Sequence, residues 1–458
     1  MVDTVSPPGD DADEPARTPE PTNIDVMVTD TAVHAAGPDA TTAEDPSSPA
    51  ASGAPWPRSG WAEMRPRPYE RRAWYGALGI GLGAFVVSRL IVGAASYATA
   101  TWEFMERQQR GLPVPRSTRG LMEEILVRWD GRWYRLIALD GYQSELPHPI
   151  SYIPNNGGAT VAFFPLYPYL ARWFGYAFPG DVEHALLGVN IVLSIIAVVL
   201  VGMLARDVFD VETATRAMVL VCLFPGAVVM SWSYAEPTLV VCAAACLLLL
   251  MRDKWLLAGI FAALGTATRP NGVALVAACA VAAAMAIHYR RQWRSLIAVA
   301  VAPLGALGYM AYLTVHTGEA GAWMRSQREA WGEGWSWGAT PVRYIWRFFE
   351  NPLGSGYGPL YMHTTLAVAA LGFGIVCAVR KRLPLPMLAY CVVIGVLMLA
   401  PTIVSARPRF VWTAFPLAIA VAAWWPRRHR YAWDALVVLS TGSLAAFTML
   451  YGSWAIIP

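Results

Sequence analysis

Four short stretches of the chain carry side chains able to do chemistry. In the first, Arg128-Trp129-Asp130-Gly131-Arg132-Trp133-Tyr134-Arg135-Leu136-Ile137-Ala138-Leu139-Asp140-Gly141-Tyr142, bulky apolar residues follow Asp130 at helical spacing (Trp133, Leu136, Ile137 and Leu139). The positive end of such a helix favours an ionised carboxylate at its start. A carboxylate placed there can take a proton from a hydroxyl group. Aspartate is also a favoured helix N-cap, so spacing alone leaves both roles open. The second stretch, Ser231-Trp232-Ser233-Tyr234-Ala235-Glu236-Pro237, holds one acid, Glu236, between two apolar runs. An acid at that boundary is costly without a partner. The third, Thr268-Arg269-Pro270-Asn271-Gly272, and the fourth, Ser405-Ala406-Arg407-Pro408-Arg409-Phe410, bring arginines to similar boundaries. The guanidinium fork suits a phosphate. Interfacial snorkelling with surface ion pairs accounts for the same arginines.

The elements that position these stretches are apolar runs. The chain is 56% hydrophobic and 15% charged, whereas a soluble domain carries about 25% charged residues. A spanning helix needs about 20 apolar residues, and on that measure about eleven runs qualify. They are Trp74 to Thr101, His184 to Ala205, Ala214 to Ser231, Pro237 to Met251, Trp255 to Thr268, Val273 to His288, Ser295 to Val315, Tyr361 to Val379, Leu385 to Val404, Phe410 to Trp425 and Ala432 to Trp454. The expected fold is an all-α polytopic membrane protein.

Orientation follows from the basic connections. Arg65, Arg67, Arg71 and Arg72 precede the first run. Arg252 and Lys254, then Arg290, Arg291 and Arg294, then Arg380, Lys381 and Arg382, and finally Arg427, Arg428 and Arg430 follow the fourth, sixth, eighth and tenth. All five groups fall on one side, which the charge rule makes the cytoplasm. Arg407 and Arg409 land on the other side, against the rule. So do two long outer segments, 102–183 and 316–360, rich in Trp, Tyr, Arg and Glu. The helix that begins at Asp130 is expected to lie on the outer membrane surface. The chain is expected in the plasma membrane with a cytoplasmic N-terminus.

Residues 1–70 read differently. Before Trp56, Arg17 is the only Lys or Arg, and large apolar residues are few. Such a segment cannot bury enough surface to offset its ordering entropy, so it is expected to be a disordered, acidic, Pro-rich cytoplasmic tail ahead of a membrane domain at 71–458. No signal peptide is evident, so the first run should act as an uncleaved anchor. Cys222, Cys242, Cys246, Cys279, Cys377 and Cys391 all lie inside apolar runs and read as small buried hydrophobes. Asp11-Ala12-Asp13 matches the Asp-x-Asp metal site of soluble nucleotide-sugar enzymes but lies in the tail. With no phosphate-binding Gly-rich loop and no metal-binding helix motif, the sequence predicts no nucleotide cofactor, no required metal and no nucleic-acid partner.

The ordered motifs carry a family resemblance. Trp129-Asp130 through Gly141-Tyr142, Phe163-Phe164-Pro165-Leu166-Tyr167-Pro168, Ser233 to Glu236, Arg269-Pro270-Asn271-Gly272, and Arg409-Phe410 with Phe415-Pro416 resemble, in order, the motifs of the PIG-V family. That family holds the second mannosyltransferase of GPI-anchor assembly and belongs to the GT-C class of membrane glycosyltransferases. The resemblance covers about 75 to 420. Pro270 stands where the family has Ser. The resemblance implies a GT-C-like fold and an inverting transfer on the extracytoplasmic side. The donor would be a polyprenyl-phosphate sugar, with mannose as the implied sugar, and the acceptor a lipid-linked or envelope glycan such as a lipoglycan. It makes Asp130 the catalytic base. Arg269, Arg409 and Arg407 would take the lipid phosphate. Glu236 and Asn271 would orient sugar hydroxyls or those arginines, and Trp129 and Tyr142 would complete the substrate contacts.

Two rivals stand beside this reading. A lipid or solute transporter would place ionisable residues deep in the spans and use broken helices. A catalytically silent subunit that binds a lipid-linked sugar would suit the Trp-rich outer segments.

Overall fold

Apolar runs separated by basic or Pro-containing breaks become helices because only a helix satisfies every backbone N–H and C=O inside a bilayer. The computed structural model describes residues 69–115, 117–152, 157–177, 180–351, 358–403, 407–426 and 428–453. The expected tail therefore lies, apart from its last two residues, outside the described residues. The helices are, in order, α1 (Arg71–Gln109), α2 (Thr118–Leu126), α3 (Asp130–Asp140), α4 (Leu166–Ala177), α5 (Val182–Val208), α6 (Val211–Leu223), α7 (Glu236–Leu250), α8 (Trp255–Thr266) and α9 (Val273–Arg290). There follow α10 (Leu296–Val301), α11 (Leu304–Thr317), α12 (Ala322–Glu329), α13 (Ala339–Glu350), α14 (Gly358–Arg380), α15 (Leu385–Leu399), α16 (Pro408–Thr413), α17 (Pro416–Trp424) and α18 (Arg430–Gly452). Extended pairing among the described residues is confined to two isolated bridges, Ser151 with Gly158 and Trp335 with Pro401.

The protein is an all-α polytopic membrane protein. Among the described residues, six helical stretches are long and apolar enough to cross a bilayer: α1, α5, Pro270–Arg290, Trp293–Thr317, α14 and α18. Three shorter apolar helices, α7, α8 and α15, correspond to three further expected spans. The other two expected spans are not continuous. Ala214 to Ser231 divides into α6 and a 3-10 segment, Pro225–Met230, and Phe410 to Trp425 divides between α16 and α17. Both divisions follow a Phe-Pro pair, Phe224-Pro225 and Phe415-Pro416. Proline lacks the N–H that would close the turn. The residue before it is extended at Phe224, as the ring demands, whereas Phe415 stays helical and the second break lies at Ala414. Hydropathy runs straight through these positions, which is why a hydropathy reading joins them.

The two broken runs meet. A Cβ built on Gly226 would lie 2.4 Å from the Pro408 carbonyl oxygen and 2.9 Å from the Arg409 nitrogen. Only glycine lets the 3-10 segment approach the backbone of α16 that closely, and the contact fixes the height at which Arg409 enters the protein. On the opposite side of the same segment, Arg89 of α1 donates from Nη1 to Ala227 O at 3.0 Å and to Ser231 Oγ at 2.7 Å. Its guanidinium thus satisfies a carbonyl in the stretch where the helix has been interrupted.

The surface helix expected at Asp130 forms, but its apolar face turns inward. Asp130, Trp133, Tyr134, Ile137 and Ala138 are buried, whereas Leu139 is exposed. The face packs against the protein, Tyr134 clustering with Tyr167 and Leu186 and Ile137 with Val161 and Phe164, while Arg172 of α4 caps the helix end. Its guanidinium donates to the carbonyls of Ala138 at 2.6 Å, Leu139 at 2.9 Å and Ile137 at 3.2 Å.

Replacing Gly226 by Ala is expected to destabilise the protein by about 1–3 kcal/mol, the usual cost of overpacking. The measurement is the thermal unfolding midpoint in detergent. An unchanged midpoint would show that the two broken segments part without cost.

Candidate functional site

Asp130 occupies the first turn of α3, one position inside the helix. The preceding residue, Trp129, has φ of 57°, a region that aromatic residues rarely enter. Two side chains hold this approach. Trp129 Nε1 donates to Tyr451 O of α18 at 2.9 Å. Arg128 is buried, bonds Gly452 O, and pairs with Glu103 of α1 at 2.7 Å. Trp129 makes no side-chain cap, so the turn is fixed from outside the helix rather than from within. Asp130 then shares the buried stripe of α3 with Trp133, Tyr134 and Ile137, the i, i+3, i+4, i+7 face.

The other three stretches converge on that carboxylate. Ser233 N donates to Leu126 O at 2.9 Å, which seats the loop ahead of α7 against the end of α2. Leu166 N donates to Ala267 O at 3.1 Å, which joins α4 to the end of α8. Arg409 Nη1 donates to Asp130 Oδ2 at 2.5 Å, and Arg269 Nη2 lies 3.8 Å from the same oxygen. Glu236, fully buried, has Oε2 2.5 Å from Arg269 Nη1 and Oε1 3.5 Å from Arg409 Nη1. Glu236 is thus held by both arginines as ion pairs rather than by aligned hydrogen bonds. The Arg409 guanidinium also lies over the Tyr234 ring, 5.4 Å from its centroid.

The electrostatics of this cluster follow from burial. Burial alone would raise the pKa of Asp130, yet Arg409 and Arg269 beside it, with Arg407 beyond, hold it below the ordinary value. Burial opposes the charge on Arg269, and Glu236 more than restores it. For Arg407, burial, then repulsion from Arg409, outweigh the upward pull of Asp130 and push its pKa down to about 10. Three guanidiniums against two carboxylates leave the cluster with one net positive charge.

The cluster opens on a cavity of about 520 Å³. Trp129, Asp130, Arg269, Asn271, Arg407 and Arg409 all line it. Glu236 stands behind the wall, in contact with the two arginines. Tyr142 is also set back: its hydroxyl donates to Phe163 O at 2.7 Å, an oxygen that Tyr309 also bonds at 2.9 Å. Through that carbonyl it fixes the Phe163-Phe164-Pro165 turn rather than facing the cavity. Among the described residues no group of three His, Cys, Asp or Glu side chains is placed to hold a metal ion.

Two features of the site escape a motif reading. Arg89 sits within the first apolar run, and no carboxylate pairs with it among the described residues. A cation inside such a run is a signal in its own right. The outer wall of the cavity comes from the second outer segment, around Trp331 and Glu333. Only its aromatic content marks it in the sequence.

Residues 162–314 match the family model described as dolichyl-phosphate-mannose-protein mannosyltransferase. The match includes Glu236, Arg269 and Asn271 and excludes Asp130, Arg407 and Arg409. No curated protein matches the chain. Among solved structures, the chain is similar to an oligosaccharyltransferase of Archaeoglobus fulgidus in complex with an inhibitory peptide and a dolichol-phosphate. There the identity is 12% and the TM-score 0.39, over 82% of this chain and 55% of that one. It is also similar to ArnT of Cupriavidus metallidurans bound to undecaprenyl phosphate, with 13% identity, a TM-score of 0.43 and 70% of each chain covered. The chain spans about half the length of the archaeal enzymes it matches.

A carboxylate with a lowered pKa stabilises the fold above its unfolded value and ceases to do so as the pH falls through its folded value. Asp130→Asn is therefore expected to lower stability at pH 7 by about 3–5 kcal/mol, the cost of stranding a buried partner. The gap from wild type should persist down to about pH 4 and close only below it. Thermal midpoints of both proteins in detergent across that range test this. A gap that widens as the pH falls from about 6 to about 4 would mean the carboxyl is held above its ordinary value instead.

Proposed function

We propose that the protein is a GT-C-type membrane glycosyltransferase that transfers a sugar, mannose in the reading favoured here, from a polyprenyl-phosphate donor to a glycolipid or envelope glycan. The observation that carries the proposal is the buried cluster of Asp130, Glu236, Arg269, Arg407 and Arg409 at one wall of a cavity large enough for a sugar and its phosphate. The match of residues 162–314 to a mannosyltransferase family model supports the reaction class and the sugar. The placement of the cluster opposite the basic connections at Arg252, Arg290 and Arg380 supports an extracytoplasmic site and a cytoplasmic N-terminus.

In this mechanism the donor is a phosphodiester carrying one negative charge. The net positive charge of the cluster matches it. On binding, the phosphate oxygens compete with Asp130 and Glu236 for the guanidiniums. Arg409 and Arg269 turn toward the phosphate, and Asp130 loses the two partners that hold its pKa down. The donor thereby raises the basicity of the carboxylate that the next step needs. The acceptor hydroxyl gives its proton to Asp130 as its oxygen forms a bond to the anomeric carbon. The bond from that carbon to the phosphate oxygen breaks, and the polyprenyl phosphate leaves with a second negative charge stabilised by the arginines. One displacement inverts the anomeric centre. Asn271, on the cavity wall, orients sugar hydroxyls, and Glu236 holds the arginines between turnovers. No step requires a metal ion.

One observation favours a second reading, a lipid transporter: Arg89 lies within a span, and two apolar runs are broken at proline. Both features instead serve the glycosyltransferase reading when Arg89 braces the broken segment that carries the chain to Glu236.

The deciding experiment is transfer from radiolabelled polyprenyl-phosphate-mannose in membranes, wild type against Asp130→Asn at matched expression. Wild type should form a labelled product, and the variant should be slower by about 10²–10⁴-fold, the range for loss of a general base. Equal rates would remove Asp130 from the chemistry. Donor counterflow in sealed vesicles without a new glycosidic bond would favour the transporter.

A further inference from the structure

The cavity lining has two unlike parts. Beside Arg409 it carries the Phe410 ring, its centroid 5.0 Å from the guanidinium, and Leu397 adds hydrocarbon to the wall. Beside Asp130 it is a corner of rings. Trp331 meets Tyr152 edge to face, with centroids 4.6 Å apart at 90°, and meets Phe163 at 5.6 Å and 69°. Trp133, one turn along α3 from Asp130, stacks on Phe163 from behind at 5.9 Å and 17°. Trp331 carries a polar atom that this packing does not use. Its Nε1 is buried with no acceptor among the described residues. A buried indole N–H without an acceptor, in the wall of a cavity, calls for an acceptor from a ligand.

Trp331 is also held more firmly than an outer loop requires. Two residues before it, Glu329 Oε2 accepts from Ile150 N at 2.8 Å and from Arg325 Nη1 at 3.0 Å, tying the segment to the first outer loop. Two residues after it, Glu333 Oε1 accepts from Thr402 N at 2.9 Å and Ile403 N at 3.0 Å, tying it to the stretch that leads to Arg407. The backbone pairs there too, Thr402 N to Gly334 O at 2.9 Å and Ser336 N to Ala400 O at 2.7 Å. Trp331 is therefore suspended between two carboxylate clamps across the cavity.

We infer that this corner is the hexose subsite, with Trp331 as its platform and its Nε1 as a donor to a ring hydroxyl. The inference rests on the donor reading above. A phosphodiester joins its chain and its sugar on opposite sides of one phosphorus. With the phosphate at the arginines and the chain along Leu397 and Phe410, the sugar is directed to Tyr152 and Trp331. The apolar faces of a hexose ring pack on aromatic rings, and its hydroxyls satisfy the few polar groups between them. Asp130 then lies at the junction, next to the bond that breaks. Glu329 and Glu333 are positioning residues that act through Trp331.

The test compares two soluble probes on the purified full-length protein in detergent: citronellyl phosphate, and the same lipid phosphate bearing mannose. Wild type should bind the mannosylated probe more tightly. Trp331→Ala should weaken that probe about tenfold, equivalent to about 1.4 kcal/mol, and leave citronellyl phosphate unchanged. Trp331→Phe, which keeps a ring in the cluster and removes only the N–H, should fall between wild type and Trp331→Ala for the mannosylated probe alone. The subsite is overturned if either variant weakens both probes equally, or if both variants retain the full preference for the sugar. If wild type binds neither probe, the donor reading itself fails and the subsite fails with it. A preference for the sugar that survives in both variants sinks the subsite alone.

Discussion

Everything around the cavity of this protein is arranged about a group of charges that cannot be left unpaired. Asp130, Glu236, Arg269, Arg407 and Arg409 are buried or nearly so, and an isolated charge in that setting costs several kcal/mol. Each of the four stretches that supply them is stable in place only when the others have arrived. The pairing is therefore as much a condition of folding as a device for binding. In the proposed orientation it also accounts for arginines on the side that the charge rule disfavours. Their counter-charges are inside the protein, not in the lipid. Because the positive charges outnumber the negative by one, the arrangement is complete as a fold and still attracts an anion.

Bringing backbone to that depth from the ends of membrane helices requires that some helices stop early. Pro225 and Pro416 end two of them, and Gly226 lets the freed segments touch. Interrupting a helix in an apolar setting exposes carbonyls, and Arg89 answers one of these from the neighbouring span. The site thus depends on a sequence of local departures from regular structure, each offset by a specific neighbour. Irregular backbone at this depth is tolerated because it is packed against protein rather than lipid.

Much of this was legible before the structure. Runs of about 20 apolar residues place most of the spanning helices to within a turn. Asp130, Arg269, Asn271 and the Arg407/Arg409 pair, read from their boundaries and motif order, all line one cavity. What could not be read is partnership. Arg409 and Asp130 are separated by 279 positions, and no local spacing encodes that they share a bond. Tyr142 shows the converse limit, since a motif position next to a chemical residue turned out to brace a turn one layer back. The two broken spans were missed for a different reason. Averaged hydropathy counts the apolarity of proline's neighbours and not its missing N–H. Leu139 was expected on the apolar stripe of α3, but the stripe that is buried runs through Asp130, Trp133, Tyr134 and Ile137, with a carboxylate as its first member.

The approach to Asp130 is held by carbonyls of the last described helix: Tyr451 receives the Trp129 indole across 322 positions, and Gly452 receives Arg128. A ribosome delivers those two carbonyls long after it has delivered Asp130. Until α18 is threaded into the membrane, the turn at Trp129 lacks its support, and Arg409 has only just been made. A partly inserted chain therefore holds an acid whose approach is not yet fixed. Biogenesis itself withholds the assembled cluster until α18 is in place, so a product truncated before α18 would lack the support that fixes the turn at Asp130.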